Sequence, residues 1–247
     1  MTDRIPLVFL PGLLCDARLW RDQARDLADI ADPTIADLTQ DSSVGAMAER
    51  VLATAPPRFA LAALSMGGYV AFEIMRRAPE RVTRLALFDT SAAPDSPDRQ
   101  ARRKSSIATL ALGRFVGVSK RMLPQLVASH HVDDAVGDEV RAMAERVGAQ
   151  AFLRQQKAIL TRPDSRPVLA SITVPTLVVV GADDLTTPPD AARAIHDGIA
   201  GSTFEILPDC GHLPALEEPR RTTALLREWL SLEAPSARYC DTFDTAR

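Results

Sequence analysis

The chain has 247 residues, of which 46% are apolar and 25% charged, with a formal net charge of −3. That length suits one domain with a substantial core and room for an insertion. The near-balanced charge argues against nucleic acid or an anionic membrane as partner, and no apolar run is long enough to span a bilayer. Met1–Pro6 is too short and too polar, before strand-like sequence begins, to read as a secretory signal. Cys15, Cys210 and Cys240 are odd in number and lack metal-ligand spacing. They read as free thiols of a reducing cytoplasm, with a Cys15–Cys210 bridge as the alternative.

Leu7-Val8-Phe9-Leu10 is a short apolar run closed by Pro11-Gly12, the pattern of a buried strand ending in a loop. Asp16 is placed to cap a helix running to about Ile30. Ile35 to Leu38 reads as a weaker strand, and Ser42 or Ser43 opens a helix through Met47 and Val51 that Pro56-Pro57 stops. Phe59 to Leu64 is a strand of apolar and small residues. It turns at Ser65 into a helix carrying Tyr69, Val70, Phe72, Ile74 and Met75, and Val82 to Phe88 is the next strand. From about Pro94 to Pro167 no strand pattern is found. Arg99 to Leu112, Lys120 to Ala128 and Glu139 to Leu160 read as helices. Alternation resumes with strand Thr176 to Val180, a helix after Pro188-Pro189, strand Thr203 to Leu207 and a helix from about Glu218 to Leu232. Strands alternating with helices predict a parallel α/β sheet covered on both faces. The organisation expected is a core of residues 1–93 and 168–247 with a helical lid, 94–167, inserted in it. The tail from Ala234 has no apolar period.

Sites in open α/β sheets gather at the carboxyl ends of the strands. Three such ends carry polar residues of complementary type. In Ala63-Leu64-Ser65-Met66-Gly67 a serine lies at a strand-to-helix turn. Small residues two before and two after let strand and helix pass closely. The sharp bend lifts the hydroxyl above the sheet, and the Met66 amide points at a developing oxyanion. The usual pattern is G-x-S-x-G, with Ala63 here in place of the first glycine. A helix N-cap serine is the bland reading of Ser65. The second end is Gly181-Ala182-Asp183-Asp184 and the third is Cys210-Gly211-His212. Serine, acid and histidine in that chain order supply a nucleophile, a base to take its proton, and a carboxylate to fix the base's tautomer.

With these residues in place the chain resembles the α/β-hydrolase superfamily, in particular its compact lidded esterase and lactonase-like branch, from Leu7 to about Leu232. The resemblance implies a mostly parallel sheet of about six strands with helices on both faces and an inserted helical lid. It implies Ser65 as nucleophile and His212 as base. The acid lies three residues after the strand-end glycine in the family pattern, which selects Asp184 over Asp183; Asp89, after the strand that precedes the lid, is a further alternative. Relatives commonly read His-Gly after the first core strand where this chain has Pro11-Gly12. The following residue gives the second oxyanion amide, so Leu13 joins Met66 in that role. Thr39-Gln40-Asp41 stands where relatives carry a glycine-rich loop.

His130 and His131 read as solvated loop residues and His196 as a helix-surface residue. Arg99, Arg102, Arg103 and Lys104 form a basic run, ordinarily a solvated helix face but also a guide for an acidic substrate or an acyl-carrier protein. No phosphate-cradling loop, zinc spacing or dinucleotide fingerprint is present, so no cofactor or metal is expected and water suffices as second substrate. The expected activity is hydrolysis of carboxylic esters with small or medium acyl groups through an acyl-enzyme on Ser65. The rivals are lactone or enol-lactone hydrolysis, carbon–carbon bond hydrolysis and cofactor-free peroxidation on the same residues. A ligand receptor with a vestigial site is a further rival of another class.

Overall fold

The central strands are built from residues that can be buried on both faces. In the computed structural model, which describes residues 4–111, 115 and 117–232, β1 (Ile5–Leu10), β3 (Phe59–Leu64), β4 (Val82–Phe88) and β5 (Thr176–Gly181) carry near-continuous apolar runs. They are flanked by β2 (Ala31–Ile35) and β6 (Thr203–Leu207). The order is β2-β1-β3-β4-β5-β6, with every neighbouring pair parallel. Parallel pairing needs a crossover between strands, and helices supply it.

Successive strand residues point to opposite faces, so the core divides in two. Val8, Leu10, Leu61, Ala63, Leu87 and Val180 pack under α2 (Val44–Thr54), α3 (Met66–Arg77) and α7 (Pro189–Gly198). Phe9, Ala62, Leu64, Phe88 and Val179 face the other side, toward α1 (Arg21–Asp26) and α9 (Pro219–Ser231). There Trp20 is fully buried, stacked on Phe9 at 4.8 Å and edge-on to Phe88 at 5.4 Å. Each such pair adds about 0.5–1.5 kcal/mol beyond the area it buries.

Between β4 and β5 the described residues form helices and turns: α4 (Pro97–Ala111), α5 (Ala135–Leu160) and α6 (Arg166–Leu169). Gly148, with φ 75°, breaks α5 into two arms.

Several elements depart from expectation. The helix after Asp16 is shorter than predicted. Asp16 caps a 3-10 turn, Ala17–Trp20, and α1 ends at Asp26, because residues 31–35 pair with β1 as β2. β2 therefore begins four residues before the strand expected from Ile35. Pro33 hides it in the sequence, and an edge strand tolerates a proline that a central one does not. Lys120 to Ala128 is not a helix. It makes i→i+3 turns around a 3-10 segment, Leu123–Gln125, where Pro124 lacks the amide that a regular helix needs. Cys15 and Cys210 are both free and buried, so the alternative disulfide is not formed. Leu112, Cys240 and the tail from Ala234 lie outside the described residues.

Candidate active site

Ser65 follows β3 directly and takes φ 54°, ψ −113°, a strained backbone for a residue with a side chain. Gly67 makes the bend possible: a Cβ there would sit 2.4 Å from the Leu10 carbonyl oxygen. The Ser65 hydroxyl makes no helix-capping bond. It lies instead 2.9 Å from His212 Nε2.

His212 sits on the loop after β6, and two contacts fix that loop. Its own amide donates to the Leu126 carbonyl at 3.0 Å. Buried Glu217, in the short helix α8 (Pro214–Glu217), accepts from the amides of Gly211 and Leu213 at 2.9 Å each and from Ala128 at 2.7 Å. Gly181, at the end of β5, lets the loop close on the sheet. A Cβ at that position would stand 1.9 Å from the Gly211 carbonyl oxygen.

His212 Nδ1 lies 2.8 Å from Asp184 Oδ2. The same oxygen accepts from the Thr187 hydroxyl at 2.7 Å, and Asp184 Oδ1 accepts from the amides of Thr186 and Thr187 at 2.7 and 3.0 Å. Burial pushes the Asp184 carboxyl up. The charge of His212 and hydrogen bonds from His212 and Thr187 outweigh it, so the net direction is below the ordinary value. Asp183, the neighbouring alternative, is exposed, and its amide donates to the Cys210 carbonyl at 2.8 Å.

Asp89, the other alternative, is fully buried at the end of β4 with φ 44°. Its Oδ1 accepts from the Gly181 amide at 2.9 Å, and Oδ2 has no hydrogen-bond partner among the described residues. Burial, then the negative charge of Asp184, push this carboxyl well above its ordinary value. Asp89 therefore keeps its proton to higher pH than an ordinary carboxyl, and Asp184 loses its own at lower pH. The folded chain binds that proton more tightly than the unfolded chain, so stability falls as pH rises above the ordinary carboxylate range near about 4. Asparagine keeps the shape with no proton to lose. Asp89→Asn is expected to raise Tm at neutral pH. Thermal unfolding across pH checks this: the variant's Tm relative to wild type should fall toward the carboxylate range, and a difference that does not change with pH would contradict the raised carboxyl.

Asp89, Asp184 and His212 bring donor atoms within 4.8 Å of one another. Those of Asp184 and His212 are hydrogen-bonded to each other at 2.8 Å. His130 and His131 lie side by side on a 3-10 turn with ring centroids 4.1 Å apart, His131 bonded to Asp134, and His196 bonds Ser202 at 2.7 Å. Cys15 lines the same cavity as Ser65. Burial and the charge of Asp16 push its thiol up to about 12, so it stays protonated and is a poor nucleophile.

The loop after β1 faces Ser65 from the opposite side. Leu13 lines the cavity, and neither its amide nor that of Met66 is engaged by an acceptor among the described residues. The Leu14 amide donates to Gln155 Oε1 at 3.1 Å, and Gln155 Nε2 donates to the Leu38 carbonyl at 3.2 Å, which ties this loop to α5. The cavity measures about 190 Å³. Ser65 and His212 stand with Leu14, Val140, Met143 and Phe152 in its wall, most of which is apolar and drawn from the segment between β4 and β5.

A family model described as alpha/beta hydrolase fold matches residues 33–219. The chain belongs to that family. Among relatives, this α/β-hydrolase is 28% identical to the pimeloyl-[acyl-carrier protein] methyl ester esterase of Neisseria meningitidis serogroup A, over 89% of this chain and 72% of the other. Among solved structures, it resembles a malate-bound thermophilic esterase from Thermogutta terrifontis, with TM-score 0.81 and 29% identity over 92% of this chain and 89% of that one. The enol-lactonase of Burkholderia xenovorans shares the fold, with TM-score 0.81 and 22% identity over 93% and 92% of the two chains.

Glu217 and Thr187 escaped the reading of the sequence. Glu217 reaches the Ala128 amide, 89 residues away, and the Thr187 hydroxyl, bonded to Asp184, also lies 3.3 Å from His212 Nδ1. The one trace is position, Thr187 three residues after Asp184 and Glu217 five after His212.

Proposed function

We propose that the chain is a serine hydrolase that cleaves carboxylic esters of small or medium acyl groups through an acyl-enzyme on Ser65. The observation that carries this reading is the hydrogen-bonded line Ser65–His212–Asp184, at 2.9 and 2.8 Å, in the wall of a mostly apolar cavity. In this account His212 takes the Ser65 proton as Oγ attacks the ester carbonyl. The amides of Leu13 and Met66 receive the oxyanion. Collapse expels the alcohol, which takes the proton back from His212, and water repeats the sequence on the acyl-enzyme. Asp184 holds His212 in the tautomer that leaves Nε2 free to accept. Residues 94–167 serve as the lid, supplying most of the surface that meets the acyl group.

Two findings bear on finer detail. The name of the Neisseria relative sets its ester on an acyl-carrier protein. Exposed Arg102 and Lys104 would give a carrier with an acidic face a basic surface to dock on. A carrier-linked ester is therefore the second reading. Free thiols at Cys15 and Cys210 suit a reducing compartment, and the cytoplasm is the proposed location. No described helix is long and apolar enough to cross a membrane.

The test is a panel of p-nitrophenyl esters from acetate to long-chain acyl groups beside a panel of lactones. The expected result is highest kcat/KM on short or medium acyl esters. Turnover confined to lactones would replace this reading with the lactonase one.

A further inference from the structure

Helix α4 carries four cations, and the fold separates them into two pairs. Arg102 and Lys104 are exposed. Arg99 and Arg103, one helical turn apart on one face, line the cavity that also holds Ser65 and His212. Both converge on Asp95, whose side chain is only 2% exposed: Arg103 Nε bonds it at 2.5 Å and Arg99 Nε stands 3.4 Å away. A third cation, Arg162, reaches the same carboxylate at 3.0 Å. Among the described residues, Asp95 is the acid within ion-pairing reach of all three, so three positive charges share one negative.

The three guanidinium groups are not equally committed. Arg162 is spent on structure. It donates to the carbonyls of Ile159 and Ala93 as well as to Asp95, and lies 4.1 Å over the ring of Tyr69. Arg103 gives one Nη to Gln156 Oε1 at 2.9 Å. Its second Nη, both Nη of Arg99 and the Gln156 amide nitrogen make no hydrogen bond among the described residues, and all three side chains line the cavity. The wall therefore holds excess positive charge and unused donors beside apolar surface from Leu14, Met143 and Phe152. Uncompensated charge next to apolar surface is costly, and an incoming anion with planar oxygens would relieve it through charge-assisted bonds. Burial raises the Asp95 carboxyl, but the bonds from Arg162 and Arg103 outweigh it and hold it below its ordinary value, so Asp95 supplies a full negative charge and no more.

We propose that Arg99 and Arg103, with the Gln156 amide, form a carboxylate subsite within the cavity, so that the preferred substrate is a half-ester of a dicarboxylic acid, its ester carbonyl at Ser65 and its free carboxylate on the arginines. This rests on the esterase reading of Ser65 and adds the substrate class. The apolar surface takes the methylene chain between the two ends. Hydrolysis then releases an alcohol and a dicarboxylate.

The experiment compares monomethyl esters of succinate, glutarate, adipate and pimelate with methyl esters of monocarboxylic acids of equal chain length, followed by proton release. At the best chain length the half-ester is expected to exceed its neutral partner in kcat/KM by about ten- to a hundredfold, the worth of one or two hydrogen bonds to a charged group. Arg99→Gln should lower that ratio about tenfold or more, chiefly through KM, Arg99→Lys should restore part of it, and Arg121→Gln, at an exposed residue outside the cavity wall, should leave it in place. The same pairs are titrated by calorimetry into the Ser65→Ala protein, where binding is read without turnover. Equal kcat/KM and equal affinity for charged and neutral partners overturn the subsite, as does a preference that Arg99→Gln leaves undiminished. Failure of the esterase reading looks different: neither ester is turned over, while the calorimetric ratio still reports on the arginines.

Discussion

Ser65→Ala is expected to lower kcat on esters by about five to six orders of magnitude, the scale seen when a serine hydrolase loses its nucleophile. The residual rate over water is what the proposed oxyanion amides of Leu13 and Met66, with binding, would sustain. The fold should survive, because the hydroxyl's hydrogen-bond partner is His212 Nε2 and it makes no capping bond that holds α3. Alanine is no more strained than serine at φ 54°, so Tm should move little. Kinetics on the best ester of the panel, beside a thermal melt, checks both halves. A folded variant that keeps more than about a thousandth of the rate would place the nucleophile elsewhere.

Asp184→Asn should lower kcat by about three to four orders of magnitude, as loss of the tautomer-fixing carboxylate does in serine proteases. The hydrogen bonds explain why so small a change costs so much. Oδ1 accepts from the amides of Thr186 and Thr187, so the asparagine oxygen takes that side and its NH2 is turned to His212 Nδ1. Nδ1 must then accept, the ring proton moves to Nε2, and Nε2 can no longer take the proton of Ser65. Asp183→Asn, in an exposed side chain, should change stability by no more than about 0.5 kcal/mol and leave kcat close to wild type. A loss in Asp183→Asn as large as that in Asp184→Asn would reverse the assignment.

What could be read from the sequence was local. Phe59–Leu64 is apolar or small at every position, so its strand character does not depend on neighbours, and the small residues around Ser65 encode the bend that follows. Asp184 and His212 are legible because each follows a strand end at a fixed step from a glycine, and those glycines are needed for the loops to pass: Gly181 lies against the carbonyl of Gly211. What escaped was tertiary. Pro33 argues against a strand until β2 is known to be at the sheet edge. Asp89 gives no hint in sequence that burial, and then the charge of Asp184, push its carboxyl up. Glu217 holds three amides from two segments, the farthest, Ala128, 89 residues from it in the chain, a role that no local pattern records. The basic run on α4 was legible as charge. Its division into two outward residues and two that line the cavity was not, because that depends on where the helix packs.

The central claim is that Ser65 forms a covalent bond to the acyl group, and it is tested most directly by trapping that bond. The protein is treated with a fluorophosphonate, which captures an activated serine as a stable phosphonyl ester, then digested and sequenced by mass spectrometry. The account predicts a single adduct on Ser65, formed in step with loss of esterase activity and absent from the Ser65→Ala and His212→Ala proteins. An adduct on another residue, or full esterase activity with no adduct on Ser65, would contradict it.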